Sequence, residues 1–410
     1  MPVFLQRWQR GVIKRASQER RVLLLAGPRQ CGKTTLLKHL DMPDIEYRTL
    51  DDEALRVTAE VDPQSFVTHD KAMLVIDEVQ RVPSLLTQVK QVVDDNPRPG
   101  QFLLTGSVNI PGLPSVNESL AGRIAKIRLR TLSEGEIKGR SSEFLLKAFN
   151  QDFSSSGLAV YGRDDVLDIA FRGGFPEVIK FANRARRRWH NDYINALLER
   201  DLKDIANIRR KDAMDELVKV LAAWSSKFMD ISAIGKKMSI RRPTLESYIN
   251  ALEMLFIVER VPPWAKTDYQ RVAKRSKSFF TDSGLMASIL KWREDDVRLN
   301  ADRIGKLFET FVFAELSAQL DMGDGEYSLF HYHDREKREI DFLVERDDGA
   351  LLGIEVKASL SFQKSDFKHL KWFRDNLAGD HPFVGIVLYA GKIHGSMGKN
   401  LHAVPFGTLW

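Results

Sequence analysis

Uninterrupted apolar runs mark the first third of the chain. They lie at residues 22–26, 73–76 and 102–104, and each is followed by small, polar or acidic residues. Apolar runs without alternation are typical of parallel strands that are covered on both faces. Residues 34–40, which follow the first run, have the pattern of a helix start. This part of the chain is therefore predicted to form an α/β fold with a parallel sheet.

The middle of the chain has a helical period instead. Residues 166–204 predict helices, and the Gly-Gly-Phe-Pro turn at 173–176 would fix how two of them approach. Residues 213–262 predict three more helices and then a strand, an order typical of a winged helix-turn-helix. This fold serves DNA binding in some proteins and protein binding in others. Basic residues lie where a DNA-binding winged helix-turn-helix would contact phosphates: Lys236, Lys237, Arg241 and Arg242.

The last quarter alternates polar and apolar residues. Residues 339–344 and 352–357 do so on either side of a short turn, which predicts a β-hairpin. A period of two places Glu355 and Lys357 on one face of a strand. Asp341 on the partner strand could meet Glu355 across the pair. Close carboxylates are stabilised by a bound Mg²⁺ and by a nearby ammonium such as that of Lys357.

Residues 27–34, Gly-Pro-Arg-Gln-Cys-Gly-Lys-Thr, match the phosphate-binding loop pattern between a strand and a helix. The glycines allow backbone N–H groups to point at phosphate oxygens. Lys33 would reach the β- and γ-phosphates, and the Thr34 hydroxyl would hold Mg²⁺. A plain Gly-rich turn is the alternative. The predicted nucleotide-binding residues here are Gly27, Pro28, Arg29, Gln30, Cys31, Gly32, Lys33, Thr34 and Thr35.

Acidic residues end the second apolar run. Asp77 would lie at the carboxyl end of a parallel strand, where α/β sheets bind ligands, and would orient Mg²⁺ through a bound water. Glu78 is the candidate to polarise the attacking water. Thr105 and Ser107, which end the third run, are candidates to sense the γ-phosphate. A strand that simply ends in two solvated acids is the alternative.

These motifs together resemble a known family. Leu-Leu-Thr-Gly-Ser at 103–107, after Ile-Asp-Glu at 76–78 and before Ser-Leu-Ala-Gly-Arg at 119–123, is similar to the AAA-type ATPases of bacteria and archaea that carry a C-terminal domain of unknown function 4143. The resemblance implies ATP as the ligand and Arg123 as a charge-stabilising arginine that acts in its own chain or in a neighbour. An ordinary surface arginine is the alternative.

The C-terminal hairpin resembles the restriction-endonuclease-like superfamily, the PD-(D/E)XK nucleases. The resemblance implies that Asp341 and Glu355 hold a metal, that Lys357 positions or activates water, and that Glu309 on the preceding helix is the remaining ligand. Ile340 stands where the name-giving proline would be. Domains of this fold can lose cleavage and keep binding. An exposed hairpin with a cross-strand ion pair is the alternative.

Composition narrows the function classes. The 62 basic and 56 acidic residues give a net charge of +6, which is compatible with nucleic-acid binding without requiring it. A single cysteine excludes an intramolecular disulfide framework and a zinc site built from several cysteines. No apolar run of 18 residues and no apolar leader core is present, so the sequence predicts a cytoplasmic protein without a membrane span.

The predicted architecture follows from the motifs and the resemblance. It comprises a three-layer P-loop AAA-type ATPase domain (1–135), a helical connector (136–212), a winged helix-turn-helix (213–300) and a small α/β nuclease-like domain (301–410). Two function classes fit: an ATP-driven nucleic-acid enzyme with a metal-dependent nuclease site, or an ATP-dependent switch whose C-terminal half binds a protein partner. A homo-oligomer is compatible with both.

Overall fold

The computed structural model describes residues 4–107, 120–153, 161–205, 211–267, 275–323 and 326–410, with backbone alone at 200–205 and 211. Ser119 of the family-like motif lies outside the described residues. The chain divides into two units, the first formed by Met1–Leu132 with Leu252–Ile257 and the second by Ser133–Ala251 with Val258–Trp410. Among the described helices, none is both long and apolar enough to cross a membrane.

The first unit is built on a parallel sheet. Its strands, in the spatial order β2-β3-β4-β1-β5, are β1 (Val22–Ala26), β2 (Ile45–Thr49), β3 (Met73–Asp77), β4 (Phe102–Gly106) and β5 (Ile124–Arg128). Every residue of β1, β3 and β4 is buried, as expected for the apolar runs that form them. The predicted α/β fold with a parallel sheet is confirmed.

Helices cover both faces of this sheet. They are α1 (Gln9–Glu19), α2 (Lys33–Lys38), α3 (Glu53–Val61), α4 (Pro63–Val67) and α5 (Leu85–Asp95). Helices α4 and α5 pack in one core with Val22 and Leu24 of β1. Leu23 and Leu25 alternate with these residues, point to the opposite face and are also fully buried. The sheet is therefore the middle layer of the unit.

The middle of the second unit is helical with a small sheet. Its helices are α6 (Glu134–Ile137), α7 (Phe144–Phe149), α8 (Arg163–Arg172), α9 (Asn183–Ile205), α10 (Lys211–Ala223), α11 (Ile231–Met238), α12 (Arg242–Met254), α13 (Ser283–Ile289) and α14 (Glu294–Arg298). Strands β6 (Lys227–Phe228), β7 (Val258–Val261) and β8 (Lys277–Phe280) form an antiparallel sheet in the order β6-β8-β7.

The Gly-Gly turn after α8 has a clear cause. The Asp282 carboxylate accepts hydrogen bonds from the Gly174 N–H and from the Leu285 N–H, both at 2.8 Å, so it caps α13 and holds the turn. Gly173 has φ +68°, and a Cβ there would lie 2.3 Å from an Asp282 oxygen. Any larger residue at position 173 would displace the cap.

A six-stranded mixed sheet forms the end of the second unit. Helix α15 (Ala301–Leu320) leads into β9 (Tyr327–His333), β10 (Glu339–Arg346), β11 (Leu351–Lys357), α16 (Lys368–Asn376), β12 (Phe383–Tyr389), β13 (Gly395–Ser396) and β14 (Leu401–Pro405). The order is β13-β14-β12-β11-β10-β9, with the predicted hairpin at β10 and β11. The division into four domains proposed above stays a prediction.

A β-bulge interrupts the pairing of β10 with β9. The register shifts between Ile340 and Leu343, and both side chains pack in the core that includes residues of α16. Phe342 instead packs against Phe279 of β8, with ring centroids 5.3 Å apart. Bulges re-aim side chains in this way. Here the bulge allows Asp341, between the two core positions, to face β8.

Helix α6 is attached to α15 through a buried carboxyl group. The Glu134 N–H donates to Glu315 Oε1 at 2.8 Å, and Glu315 is only 3% exposed. Burial raises the pKa of Glu315 to about 8, although the hydrogen bond from Glu134 opposes the shift. This carboxyl group therefore binds a proton on folding near neutral pH, whereas in the unfolded chain it ionises at its ordinary pKa.

Because proton binding by Glu315 is coupled to folding, the stability of the Glu315→Gln variant should depend differently on pH from that of the wild type. With a raised folded pKa, the contribution of Glu315 is fully present below its unfolded pKa and is lost as pH rises towards about 8. The variant lacks this proton uptake, so its stability relative to wild type should rise by roughly 1 kcal/mol per pH unit between about pH 5 and pH 8. Urea unfolding of both proteins across that range measures the difference. The exposed Glu216→Gln variant is the control, and parallel curves for Glu315→Gln and wild type would refute the assignment.

Candidate functional site

The loop of residues 27–34 lies at the carboxyl end of β1. Gly27 directly follows this strand, and a Cβ at Gly27 would lie 2.0 Å from the Leu129 carbonyl oxygen. Gly32 has φ +101°, a left-handed conformation, and immediately precedes α2. Both positions therefore need glycine, one because another backbone approaches closely and the other because of its dihedral angle.

Backbone carbonyls of the loop are held by two buried cations. The Lys33 ammonium donates to the carbonyl oxygens of Gly27 at 2.9 Å and Pro28 at 3.0 Å. The Arg7 guanidinium donates to the carbonyl oxygens of Cys31 at 2.8 Å and Arg130 at 2.7 Å. Arg7 thereby ties the loop to the chain just beyond β5.

Asp77, the last residue of β3, is surrounded by hydroxyl groups. Thr34 Oγ1 donates to Asp77 Oδ2 at 3.0 Å, and the Tyr47 hydroxyl donates to the same oxygen. Thr105 Oγ1 donates to Asp77 Oδ1. Burial together with the Asp77 hydrogen bond and charge raises the pKa of Tyr47, so its hydroxyl remains a donor. The Asp77 carboxylate is thus fixed in orientation by its neighbours.

Glu78 adopts a left-handed conformation with φ +60°, and its N–H donates to Thr105 Oγ1 at 3.0 Å. Non-glycine residues in this region are strained, and such strain is concentrated at functional sites. Ser107 Oγ donates to Glu78 Oε2 at 3.1 Å, and Gln80 Nε2 donates to both groups. This network holds the Glu78 carboxylate in a defined position.

The structure brings most of the predicted nucleotide-site residues together. Thr34, Asp77, Glu78, Thr105 and Ser107 form one hydrogen-bonded network beside the loop. The Thr34 hydroxyl and the Asp77 carboxylate lie 3.0 Å apart, and both are hard oxygen ligands of the kind that Mg²⁺ prefers. Thr34 and Asp77 therefore fit a Mg²⁺ ion. The roles of the individual residues stay a prediction.

Arg123 lies elsewhere in the unit. It immediately precedes β5, and its carbonyl oxygen accepts from the Val22 N–H at the start of β1. Five residues of β1 separate this edge from the loop, roughly 17 Å at 3.3 Å per residue. Its guanidinium bonds both Asp94 oxygens, at 2.5 and 3.0 Å. Arg123 therefore does not reach the loop of its own chain.

Two residues of this network were not predicted from the sequence. Tyr47 is the third residue of β2, and Gln80 lies in a short 3₁₀-helix after β3. A tyrosine in a strand usually signals packing, so its pattern gave no hint of an Asp77 contact. Gln80 follows the Asp-Glu pair by two positions, and that proximity was the available signal.

The C-terminal carboxylates converge on a lysine of β8. The Lys277 ammonium lies 3.1 Å from Glu309 Oε2, 2.8 Å from Glu339 Oε1 and 3.2 Å from Asp341 Oδ1, and its side chain is 1% exposed. Asp341 Oδ2 accepts from the Val356 N–H at 2.9 Å, which ties β10 to β11. The bulge in β10 thus directs Asp341 towards both Lys277 and β11.

Glu355 and Lys357 pair beside this cluster. Lys357 Nζ lies 3.1 Å from Glu355 Oε2, whereas Glu355 Oε1 is buried and has no hydrogen-bond partner among the described residues. Burial and the Asp341 charge raise the pKa of Glu355, and burial also raises that of Glu309. Burial alone would lower the pKa of Lys277, but the surrounding carboxylates outweigh it and raise that pKa.

As they stand, these carboxylates do not fit a metal. Within the described parts of the chain, no three Asp, Glu, His or Cys side chains are grouped as metal ligands. Lys277 contacts two of the three predicted ligands, Glu309 and Asp341. Lys277 was not predictable from the sequence, because it is distant in the chain and carries no local signal. Glu339 was not predicted either, although the period-two pattern places it on the same face as Asp341.

Comparisons with known families agree with the geometry. Residues 19–138 match the model of the AAA domain family, residues 163–296 match a domain of unknown function (DUF8612), and residues 304–409 match a domain of unknown function (DUF4143). The chain is therefore a protein with an AAA-type ATPase domain. It joins this domain to a C-terminal DUF4143 domain, so the family assignment from the sequence motifs is confirmed.

Whole-chain relatives are distant. The uncharacterized proteins Rv2008c of Mycobacterium tuberculosis and Mb2031c of Mycobacterium bovis are each 26% identical over 349 residues, which is 84% of this chain and 72% of each relative. AMPPCP-bound DnaA from Aquifex aeolicus is 13% identical, with a TM-score of 0.28 over 59% of this chain and 86% of that chain. RuvB from Thermotoga maritima is 19% identical, with a TM-score of 0.26 over 62% and 85%.

Thr105 allows a direct test of the Asp77 network. Thr105→Val keeps the shape but removes the hydroxyl that donates to Asp77 and accepts from the Glu78 N–H. Two polar groups then lose a partner, so the first unit should be destabilised by about 2–4 kcal/mol. Thr105→Ser keeps the hydroxyl and loses one methyl, at a cost of about 1 kcal/mol. Urea unfolding measures both, and equal losses in the two variants would contradict the network.

Proposed function

We propose that this chain binds and hydrolyses ATP with Mg²⁺ at the loop of residues 27–34. The observation that carries the proposal is the fixed Asp77 carboxylate beside the Thr34 hydroxyl, at the carboxyl edge of a parallel sheet and next to a glycine-dependent loop. Ligands bind at this edge in open α/β sheets. Thr34 and Asp77 would hold Mg²⁺, which neutralises phosphate charge when bound.

Each residue has a chemical task in this proposal. Backbone N–H groups of the loop bind phosphate oxygens, and the Lys33 ammonium exchanges its bonds to the Gly27 and Pro28 carbonyls for phosphate oxygens. Glu78 accepts a hydrogen bond from the attacking water and orients it. Ser107 and Gln80 position the Glu78 carboxylate, and Thr105 couples Asp77 to Glu78.

An arginine from a second copy of the chain would complete the charge stabilisation. Arg123 cannot act in its own chain because it lies at the amino edge of the sheet and pairs with Asp94. In a homo-oligomer, which the sequence allows, Arg123 would act on ATP bound to a neighbouring subunit.

The ATPase prediction separates binding from turnover. Lys33→Ala should abolish nucleotide binding or weaken it severely, because the phosphates lose their main cationic contact. Glu78→Gln keeps the phosphate contacts and removes the charge that polarises water, so ATP should still bind while turnover falls roughly 100-fold or more. Fluorescent-nucleotide binding and phosphate release measure the two steps. Normal turnover in both variants would rule out these assignments.

A second candidate function is nucleic-acid binding by the second unit. Helices α10 to α12 and strands β6 to β8 follow the order expected of a winged helix-turn-helix, which supports this reading. Arg242, Arg260 and Arg275 line one groove of about 290 Å³ there. Arg242 and Arg275 are largely exposed, at 68% and 66% of their side-chain surface. Arginines clustered on one face are the electrostatic footprint of phosphate binding.

Metal-dependent cleavage of the bound nucleic acid would be a more specific form of this second function. Asp341, Glu355, Lys357 and Glu309 would be the reacting residues of a nuclease-like site. The site is favoured because Glu309 and Asp341 share one ammonium partner and Glu355 pairs with Lys357. Lys277 stands against it, because it bonds carboxylates that the resemblance assigns to a metal. The alternative function is an ATP-dependent switch whose C-terminal half binds a protein partner and catalyses nothing. That alternative predicts no affinity for nucleic acid.

Duplex DNA binding tests the groove. Arg242→Ala should weaken binding roughly 3- to 10-fold in low salt and reduce the salt dependence by about one phosphate contact, and Arg275→Ala should do the same. Lys371→Ala is a matched control, since Lys371 and Arg242 are both exposed and each pairs with an acid four residues along its helix. Fluorescence anisotropy gives the affinities.

The same samples, incubated with Mg²⁺ or Mn²⁺, show whether the DNA is cut. Loss of any cutting in Asp341→Asn would assign it to the carboxylate site. Equal binding by Arg242→Ala and Lys371→Ala would exclude the groove as the binding surface. Absence of binding by the wild-type chain would favour the protein-partner switch.

A further inference from the structure

The Lys277 ammonium lies at the centre of a cluster of three carboxylates. An ammonium group has three N–H donors, and three carboxylates lie within 3.2 Å of Lys277 Nζ. These come from two elements, α15 and β10, while Lys277 belongs to β8. Each donor therefore has an acceptor, which is the arrangement that a buried cation requires.

Aromatic rings close the remaining sides. The ring centroids of Phe228 and Phe279 lie 6.0 and 5.9 Å from Lys277 Nζ. Both distances are within the range of a cation–π attraction. The side chain is 1% exposed, so the ammonium is withdrawn from water and depends on these partners. Lys277 is thus a fixed internal cation and not a surface lysine that approaches the site by chance.

We propose that Lys277 occupies the place of a divalent metal ion and keeps the carboxylate site closed to metal. This inference rests on the second proposed function, because it concerns the same carboxylate site. That site is formed by Glu309, Asp341 and Glu355. A divalent ion that uses Glu309 and Asp341 has to displace the Lys277 ammonium from both.

The charge balance shows what removal of Lys277 would do. Four carboxylates (Glu309, Glu339, Asp341 and Glu355) share two ammonium groups, those of Lys277 and Lys357. Glu355 Oε1 is an additional buried acceptor with no partner among the described residues. Without Lys277 the cluster becomes an oxygen donor set with a large excess of negative charge, which is the environment that a hard divalent cation prefers.

Mn²⁺ binding to nucleotide-free, full-length protein tests the proposal. The wild type and Lys277→Met are titrated with Mn²⁺, and free ion is measured by electron paramagnetic resonance. Lys277→Met should gain one Mn²⁺ site per chain, at least tenfold tighter than any site of the wild type. The double variant Lys277→Met/Asp341→Asn should lose that site, which separates it from any binding at the phosphate loop.

Two further variants guard against misfolding. Lys277→Met/Glu339→Gln removes one charge of each sign, so it keeps the formal charge of the cluster and should also gain the Mn²⁺ site. Lys277→Arg keeps the cation and should behave as wild type. For each protein that gains the site, the unfolding temperature should rise with Mn²⁺.

The outcomes are distinct. A tight Mn²⁺ site in the wild type that is removed by Asp341→Asn and unchanged in Lys277→Met would overturn the role of Lys277 and leave the metal-dependent nuclease proposal intact. No site in any variant would overturn this inference and also remove the metal-dependent version, while DNA binding through the arginine groove would be unaffected. A gained site that Asp341→Asn does not remove would also overturn it.

Discussion

A buried ammonium group among carboxylates is the interaction on which the second unit depends most. Lys277 comes from the small sheet, Glu309 from a long helix, and Glu339 and Asp341 from the C-terminal sheet. Removing one partner of a buried ion pair typically costs 3–5 kcal/mol, because the remaining charge stays desolvated. The three elements are therefore bound by a requirement for neutrality as well as by apolar packing. Phe279 beside Lys277 adds a packed ring on Phe313 and Phe342, so charge and packing meet in one place.

In the first unit, the feature that organises the site is the shared carboxyl edge of the parallel strands. All its strands are parallel, so their carboxyl ends meet at one edge, and the polar residues that end β3 and β4 come together there. Hydroxyl donors satisfy the Asp77 carboxylate on both oxygens. The strained backbone at Glu78 is held by its hydrogen bond to Thr105. The Asp77 and Glu78 carboxylates are therefore held in fixed orientations by their neighbours.

Local patterns predicted most of what is close in the chain. The apolar runs gave the parallel strands, the alternation gave the hairpin, and the motif of residues 27–34 gave the loop. The partners that determine the chemistry of each site came from elsewhere. Tyr47 reaches Asp77 from a neighbouring strand, and Lys277 reaches Asp341 across more than sixty positions of sequence. The periodicity of apolar residues indicates which face of a helix or strand a residue occupies. It does not indicate which residue of another element that face contacts. The place of Arg123 was not predictable for the same reason, because strand direction decides at which end of the sheet a flanking residue lies; its role stays a prediction.

The cysteine in the phosphate loop has a practical consequence. Cys31 is the single cysteine of the sequence, it is fully buried, and its carbonyl is held by Arg7. A thiol-specific reagent therefore has one target in the wild-type chain, and it reacts only in conformations that expose Cys31. The labelling rate therefore reports how often this position is exposed, without mutagenesis or an attached dye. A kinetic measurement on the unaltered protein can thus probe local exposure at a single position of the phosphate loop.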